Sequence, residues 1–304
     1  EIKFIKSFCK KKYEINNDKI NDNIFFGYKS LNKDNKTFFK DIFTVGSGTN
    51  VVVDLDLKIA FQKFWKPEIK IDPKMTSNMA AEGTNYFLKK SLKLRMRSDV
   101  PIAFCLSGGV DSGILTSHAK KSFNRDISTF SIIDKDNRYN EEENISHVVN
   151  DLECNSNLIY LKDNQDNFFN RLSQLTDYHD SPISTLSYYI HSFLSENIAK
   201  NKFKVSISGT GADEIFTGYY NHYLLQFETL KDTPFLEANI NYWKNDVLPL
   251  IRNPHLKNPL LYIQEPDNRD FVYERNFNLI KYSKINYDKK FVEEKYSKEL
   301  LRNR

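Results

Sequence analysis

The segment Ala103-Phe104-Cys105-Leu106-Ser107-Gly108-Gly109-Val110-Asp111-Ser112-Gly113 constrains the fold more than any other part of the chain. A short apolar run stops at a Ser-Gly-Gly turn, an aspartate and a second serine follow, and a helical pattern begins. A strand, a tight Gly-rich turn and a helix whose first N–H groups lack intrahelical partners together make an anion-binding arrangement. The run Val100–Leu106 is apolar almost throughout, the pattern of a strand covered on both faces, as in a parallel sheet. A plainer alternative stays open for this stretch alone: a strand–helix turn with Asp111 near the helix start as a cap.

The flanking chain repeats the pattern. Thr76 or Ser77 can cap a helix running to about Arg97, with Ala80, Ala81, Phe87, Leu88 and Leu92 as apolar positions and Gly83 as a weak point. Helices are expected over Gly113–Phe123, Asn140–Glu153, Asn164–Thr176 and Ser184–Ala199, and strands over Ile127–Ile133, Leu158–Leu161 and Phe203–Ile207. Strands alternating with helices predict a doubly wound α/β fold with a mostly parallel sheet and right-handed crossovers. Ligands in such folds sit beyond the carboxyl ends of the strands, where both Ser107 and Ser208 fall. After Gly218 the periodicity is helical over Tyr220–Leu230, Phe235–Leu248 and Asn286–Arg304, broken by Pro249, Pro254, Pro259 and Pro266. Upstream, residues 1–70 alternate short apolar and polar groups, with turn signals at Asn16-Asn17-Asp18 and Gly46-Ser47-Gly48, a strand at Val51–Val53 and a strand-like run before Cys9. Ile69 to Pro73 reads as a linker.

Composition excludes several classes. The chain has 304 residues, 40% of them hydrophobic and 14% aromatic, enough for a sizeable core. Its 44 basic and 40 acidic residues leave a net charge of only +4, with Lys spread along the chain, so charge gives no argument for nucleic acid. Cys9, Cys105 and Cys154 are odd in number and contain no CxxC pair, which argues against a disulfide framework or a zinc site and fits a reducing, cytoplasmic setting. Cys105 reads as a small apolar filler. No apolar run approaches the ~20 residues that span a bilayer, and the charged start is unlike a signal peptide. The absence of an initiator methionine and the uncapped helical pattern from Tyr296 to Arg304 read as cuts in a longer protein.

Ser107-Gly108-Gly109-Val110-Asp111-Ser112 is not a Walker loop, because no Gly-Lys-Ser/Thr follows. The glycines let the backbone fold close around an anion, and the two serines add hydroxyls. Asp111 would repel a phosphate directly, so its sensible role is to hold a magnesium ion that bridges to one. A second loop, Ser206-Ile207-Ser208-Gly209-Thr210-Gly211-Ala212-Asp213-Glu214-Ile215-Phe216-Thr217-Gly218-Tyr219, repeats the logic of strand, Ser-Gly turn and acid. Asp111 and Asp213 could share one metal.

These two stretches carry a family resemblance. Ser-Gly-Gly-Val-Asp-Ser resembles the pyrophosphate loop of the N-type ATP pyrophosphatases. Ser-Gly-Thr-Gly-Ala-Asp-Glu-Ile-Phe-Thr-Gly-Tyr resembles the partner loop of glutamine-dependent asparagine synthetases. Ser98-Asp99-Val100-Pro101 and Phe130-Ser131-Ile132 are similar to the same family. Glu1-Ile2-Lys3, Phe39-Lys40-Asp41-Ile42 and Phe64-Trp65-Lys66-Pro67 resemble the tail of its glutaminase domain. The likeness runs from residue 1 to about Tyr223.

The resemblance implies three parts: 1–70 as an incomplete glutaminase-like tail of α+β type, 71–220 as the ATP pyrophosphatase or synthetase domain, and 221–304 as its helical extension. It implies ATP and Mg2+, with Ser107, Gly108, Gly109, Asp111 and Ser112 holding pyrophosphate. Asp111 and Asp213 would bind magnesium, and Cys105 or Leu106, Ile132, Ser208 and Gly209 would border the adenosine. The implied reaction adenylates a small-molecule, aspartate-like carboxylate and transfers ammonia to it, releasing AMP and pyrophosphate. The ammonia would come from glutamine through an N-terminal cysteine nucleophile that precedes Glu1; a homodimer is one option for the assembly, which the sequence leaves open. Neither nucleic acid nor membrane is implied. Where the family usually has Glu or Asp, this chain has Thr210, which cannot take a proton at neutral pH. A related enzyme acting on another carboxylate, such as a surface-polysaccharide sugar precursor, and an inactive nucleotide-binding relative are the alternatives this leaves.

Other residues are more ambiguous. His179-Asp180-Ser181-Pro182 matches a family segment that lines the acceptor pocket, or is a turn with Asp180 as a cap. Asn140-Glu141 could approach the site, but helix capping is the simpler expectation. Lys135 and Arg138 could reach phosphates or be surface cations, and His118, His147 and His191 read as lone surface histidines on helices.

Overall fold

The computed structural model describes residues 1–27, 31, 34–136, 139–161 and 167–264. The helix expected over 286–304, Arg138 and the first residues of the helix expected from Asn164 lie outside these. The chain divides into two compact units, residues 45–212 and residues 1–44 with those from Asp213 onward.

The 45–212 unit contains the α/β core. It begins with an antiparallel hairpin of β1 (Thr49–Val53) and β2 (Ile59–Lys63), in which Val51 pairs with Phe61 and Val53 with Ile59. Asp54 closes the turn through its carboxylate, which accepts the Lys58 N–H. Helix α3 (Ser77–Arg95) follows; the Thr76 hydroxyl accepts the Met79 N–H and so fixes its start.

Four parallel strands then alternate with helices: β3 (Ile102–Cys105), α4 (Val110–Ser117) running on into a π turn at His118–Ser122, β4 (Ser128–Ile133), α5 (Glu142–Leu152), β5 (Asn155–Tyr160), α6 (Phe168–His179), α7 (Leu186–Lys200) and β6 (Val205–Ile207). The sheet order is β5-β4-β3-β6. The chain therefore runs outward from β3 to β5 and returns on the other side of β3, so the order reverses at β3 and β6. Phe104 is in register with Thr129 on one side and Ile207 on the other.

Alternation along β3 sends successive side chains to opposite faces. Phe104 packs with Leu92 of α3, Met96 just beyond that helix, Ala119 and Ile127, while Leu106, just past the strand, joins Ile133 and Ile145 of α5. Ala103 packs with Phe130 and Ile198 of α7 on the opposite face. Phe130 is fully buried and meets Phe203 edge-on, with ring centroids 5.5 Å apart. Helices thus cover both faces, as the near-continuous apolar strands predict, and this part of the fold is an α/β architecture with a parallel four-stranded sheet.

In the other unit, α1 (Ile2–Cys9) replaces the strand-like run expected before Cys9. The apolar residues Ile2, Phe4, Ile5 and Phe8 satisfy helical spacing as well as alternation over so short a run. Asn16, read as a turn signal, is the cap of α2 (Asn17–Phe26) and accepts the Lys19 N–H. From Ala212 the chain forms α8 (Ala212–Phe216), α9 (Tyr220–Leu230), α10 (Leu236–Asp246) and, after two short 3-10 turns, α11 (Leu261–Gln264). Leu224 and Phe227 of α9, Ile240 and Trp243 of α10, Ile251 and Tyr262 form their core.

Candidate functional site

The strand order places the ends of β3 and β6 side by side, and both Ser-Gly turns leave the sheet there. Leu106, just beyond β3, is buried and donates its N–H to the Phe130 carbonyl at 3.0 Å, which extends the ladder to the edge of the turn. The Ser107 N–H then goes to Ser112 Oγ at 3.0 Å, and the two serine hydroxyls lie 2.9 Å apart. Ser112 Oγ also lies 3.1 Å from the Ser107 carbonyl and 3.2 Å from that of Gly109. Ser112 is buried, so its hydroxyl is a staple inside the turn rather than a group held out toward a ligand. Ser107 Oγ accepts the Gly109 N–H at 3.2 Å. Gly109 sits at the cap position of α4 without a side chain to cap it, so the first N–H groups of the helix have no side-chain acceptor from the cap.

Asp111 lies in the first turn of α4, half-buried, and among the described residues its carboxylate has no hydrogen-bond or ion-pair partner. One free carboxylate beside free helix N–H groups suits a magnesium ion, which is typically held by one or two carboxylates and completed by phosphate oxygens and water. No cluster of three or more His, Cys, Asp or Glu side chains that could cage a metal occurs among the described residues.

The second loop touches the first directly. A Cβ built on Gly209 would lie 2.9 Å from Asp111 Cβ, 2.9 Å from the Ser112 nitrogen and 3.1 Å from the Asp111 carbonyl carbon. Only a residue without a side chain fits, and the glycine brings backbone against backbone. Ser208 donates its hydroxyl to Thr210 Oγ1 at 3.1 Å, and Gly211 carries the left-handed φ of +99° that turns the chain into α8. Ile132 is half-buried on β4 and shares the α7 face with Phe130. Cys105 packs on that same face, and burial pushes its thiol up, away from thiolate chemistry.

Asp213 belongs to the other unit. Its carboxylate packs on the Cα of Gly218, where a Cβ would overlap it, and the Gly218 N–H returns to the Asp213 carbonyl at 3.2 Å. The connecting Thr217 has a φ of +63°. The next acid, Glu214, accepts the Tyr219 hydroxyl, and this bond, with one from its own backbone N–H, holds its carboxyl below the ordinary range. Gly218 therefore serves Asp213 as Gly209 serves Asp111, by leaving room for it.

Glu141 occupies the N-cap position of α5, but its side chain does not cap the helix. Asn140 Oδ1 accepts the Glu142 N–H at 2.8 Å at the start of α5, and Glu141 Oε2 instead accepts the Gly108 N–H at 3.0 Å. The available signal was the pair itself: Asn is the better capper, which leaves the neighbouring acid free to reach elsewhere. His179 ends α6, its ring edge-on to Tyr178 and Tyr188, and Asp180 is the left-handed residue that terminates the helix. His147 is exposed, 3.9 Å from Glu143 on the same helix. An open cavity of about 530 Å³ runs from Gly108 and Gly109 between α4 and α5, past Ile114, Ser117 and His147.

A parallel sheet with helices on both faces and two touching Ser-Gly loops at its reversal point defines a doubly wound α/β protein, a class of fold in which ligands sit beyond the strand ends. The family follows from the sequence match: the chain belongs to the asparagine synthase family, whose description, "Asparagine synthase", matches residues 84–277. It is 29% identical over 189 residues to the provisionally named asparagine synthetase [glutamine-hydrolyzing] 2 of Methanocaldococcus jannaschii, a match covering 61% of this chain and 36% of that protein. It is 28% identical over 187 residues to asparagine synthetase [glutamine-hydrolyzing] 1 of Bacillus subtilis, covering 58% and 27%. It is 23% identical over 205 residues to amidase chyE of Penicillium rubens, covering 61% and 30%. The chain thus spans about a third of the length of these relatives.

Proposed function

We propose that this chain carries the synthetase portion of an ATP-dependent amide-forming ligase, in which the Ser107–Ser112 and Ser208–Asp213 loops bind Mg-ATP and a carboxylate substrate is adenylated before ammonia is added. The observation that carries the reading is the Gly209 contact on Asp111 and Ser112, which joins the two loops at the sheet's reversal point.

Asp111 is the residue that would hold magnesium, with Asp213 as the second candidate. The ion would offset the charge of the triphosphate and of the two acids, Asp111 and Glu141, that border the first loop. The free N–H groups of Val110, Asp111 and Ser112 would take the β- and γ-phosphate oxygens. Cys105, Leu106, Ile132, Ser208 and Gly209 would border the adenosine. The substrate carboxylate oxygen attacks the α-phosphorus and pyrophosphate leaves. Ammonia then attacks the acyl carbon, AMP leaves with the oxygen, and a proton is lost to give the amide. The chain supplies no nucleophile in this scheme; its contribution is positioning and charge stabilisation.

Residues 1–70 are proposed to be the tail of a glutaminase-like domain, with glutamine as the ammonia source of the whole protein. Aspartate is the first candidate acceptor. A different carboxylate is the second reading, favoured by Thr210, whose side chain is a hydroxyl engaged by Ser208 rather than an acid, and by a relative named as an amidase.

ATP–pyrophosphate exchange with magnesium tests the proposal. Exchange stimulated by aspartate supports an asparagine-forming enzyme, and exchange only with another acid in a carboxylate panel supports the second reading. Tight Mg-ATP binding without exchange under any acid would instead mark a nucleotide-binding relative without ligase activity.

A further inference from the structure

Three N–H groups shape the Ser107–Gly109 turn, and each is held by a side chain: Ser107 by Ser112, Gly109 by Ser107, and Gly108 by Glu141. The first two holders lie within the loop. The third comes from the start of α5, thirty-three residues away in sequence. We infer that Glu141 is a positioning residue of the phosphate loop, fixing the Gly108 peptide and with it the direction in which α4 presents its first N–H groups. The inference rests on the nucleotide reading above and extends it to a residue outside both loops.

Backbone packing supports the contact. A Cβ on Gly108 would lie 2.7 Å from Glu141 Cβ, 3.0 Å from Asn144 Cβ and 3.3 Å from the Glu141 carbonyl oxygen. The turn is therefore seated on the first turn of α5, and glycine is required at 108 by this seat. Glu141 also stands at the positive end of its own helix, where the Asn140 side chain takes the Glu142 N–H, and its carboxylate accepts a charge-assisted bond from Gly108 instead of capping the helix. Its charge is of the wrong sign to attract phosphate. Any benefit to nucleotide binding must then come from geometry, and this separates positioning from simple electrostatics. Glutamine keeps an acceptor oxygen and removes the charge; alanine removes both.

The test combines hydrogen–deuterium exchange of the loop in the nucleotide-free protein with calorimetric titration of Mg-ATP, on wild type, Glu141→Ala, Glu141→Gln and, as a control, the neighbouring exposed Glu143→Ala. Glu141→Ala is expected to speed exchange across residues 108–112 and weaken Mg-ATP binding roughly tenfold or more, with Glu141→Gln close to wild type in both and Glu143→Ala unchanged. Loop exchange in Glu141→Ala identical to wild type overturns the inference, as does tighter Mg-ATP binding by both neutral variants, which is the electrostatic outcome. The exchange measurement decides the Glu141 contact without nucleotide. A wild-type protein that fails to bind Mg-ATP while Glu141→Ala still loosens the loop would therefore sink the functional reading and leave the positioning contact standing.

Discussion

A single hydrogen at Gly209 separates two loops in contact from two loops apart. Gly209→Ala places a methyl within 2.9 Å of Asp111 Cβ and of the Ser112 backbone, neither of which is a flexible end that can swing away. The expected cost is about 1–3 kcal/mol of stability, together with loss of Mg-ATP affinity, because the clash lies on the magnesium-binding candidate itself. Thermal unfolding and nucleotide titration of the variant would show both, and an unchanged affinity would remove this contact from the site. Ser131 gives the opposite case. It is buried on β4 and its hydroxyl has no partner among the described residues. An unsatisfied buried hydroxyl costs roughly 1–3 kcal/mol, so Ser131→Ala should leave the melting temperature unchanged or raise it. A clear drop would mean that the hydroxyl has a partner after all.

At the scale of elements, α6 and α7 are clamped by charge. Arg171 donates to Glu196 at 2.8 Å and to Ser192 Oγ at 3.0 Å, stacks on Phe193, and shares Glu196 with Lys200 at 2.6 Å. Lys200 and then Arg171 hold the Glu196 carboxyl below its ordinary value. A depressed folded pKa stabilises above the unfolded value, about 4.3, and that stability is lost as pH falls through the folded value. Because Glu196 is 40% exposed, the gain is only about 0.3–1 kcal/mol. Chemical denaturation of Glu196→Gln should show the deficit near pH 7 and its closure below the carboxylate range; a deficit constant with pH would point to packing instead.

The same scale shows what sequence made legible. A strand buried on both faces is short and mostly apolar, so β3 stands out, while β4 is marked by its β-branched and aromatic residues despite the buried Thr129 and Ser131, and capped helices such as α3 begin where Thr76 predicts. Runs as brief as Ile2–Phe8 fit two periods equally, and α1 was open to misreading for that reason. Hairpin strand β2 offers only the brief alternation of Ile59 and Phe61, and the exposed pair buries little. The Glu141–Gly108 bond joins residues remote in sequence, and no local pattern encodes it. Ser112 was legible as a loop residue, but its inward staple was not.

For the whole molecule, the consequence of the strand order is that all the chemistry suggested by residues 103–113 and 206–212 converges on one edge of one sheet. Within the other unit, Asp213 is seated on Gly218 at the start of α8. Family membership covers residues 84–277 and so spans both units. Whether the joined loops bind a magnesium nucleotide through Asp111 is decided by calorimetric titration of Mg-ATP into wild type and Asp111→Asn. Wild type is expected to bind saturably and only with magnesium, and Asp111→Asn to lose at least roughly tenfold in affinity, worth about 1.4 kcal/mol or more. Equal binding by the two proteins, or wild-type binding indifferent to magnesium, would contradict it.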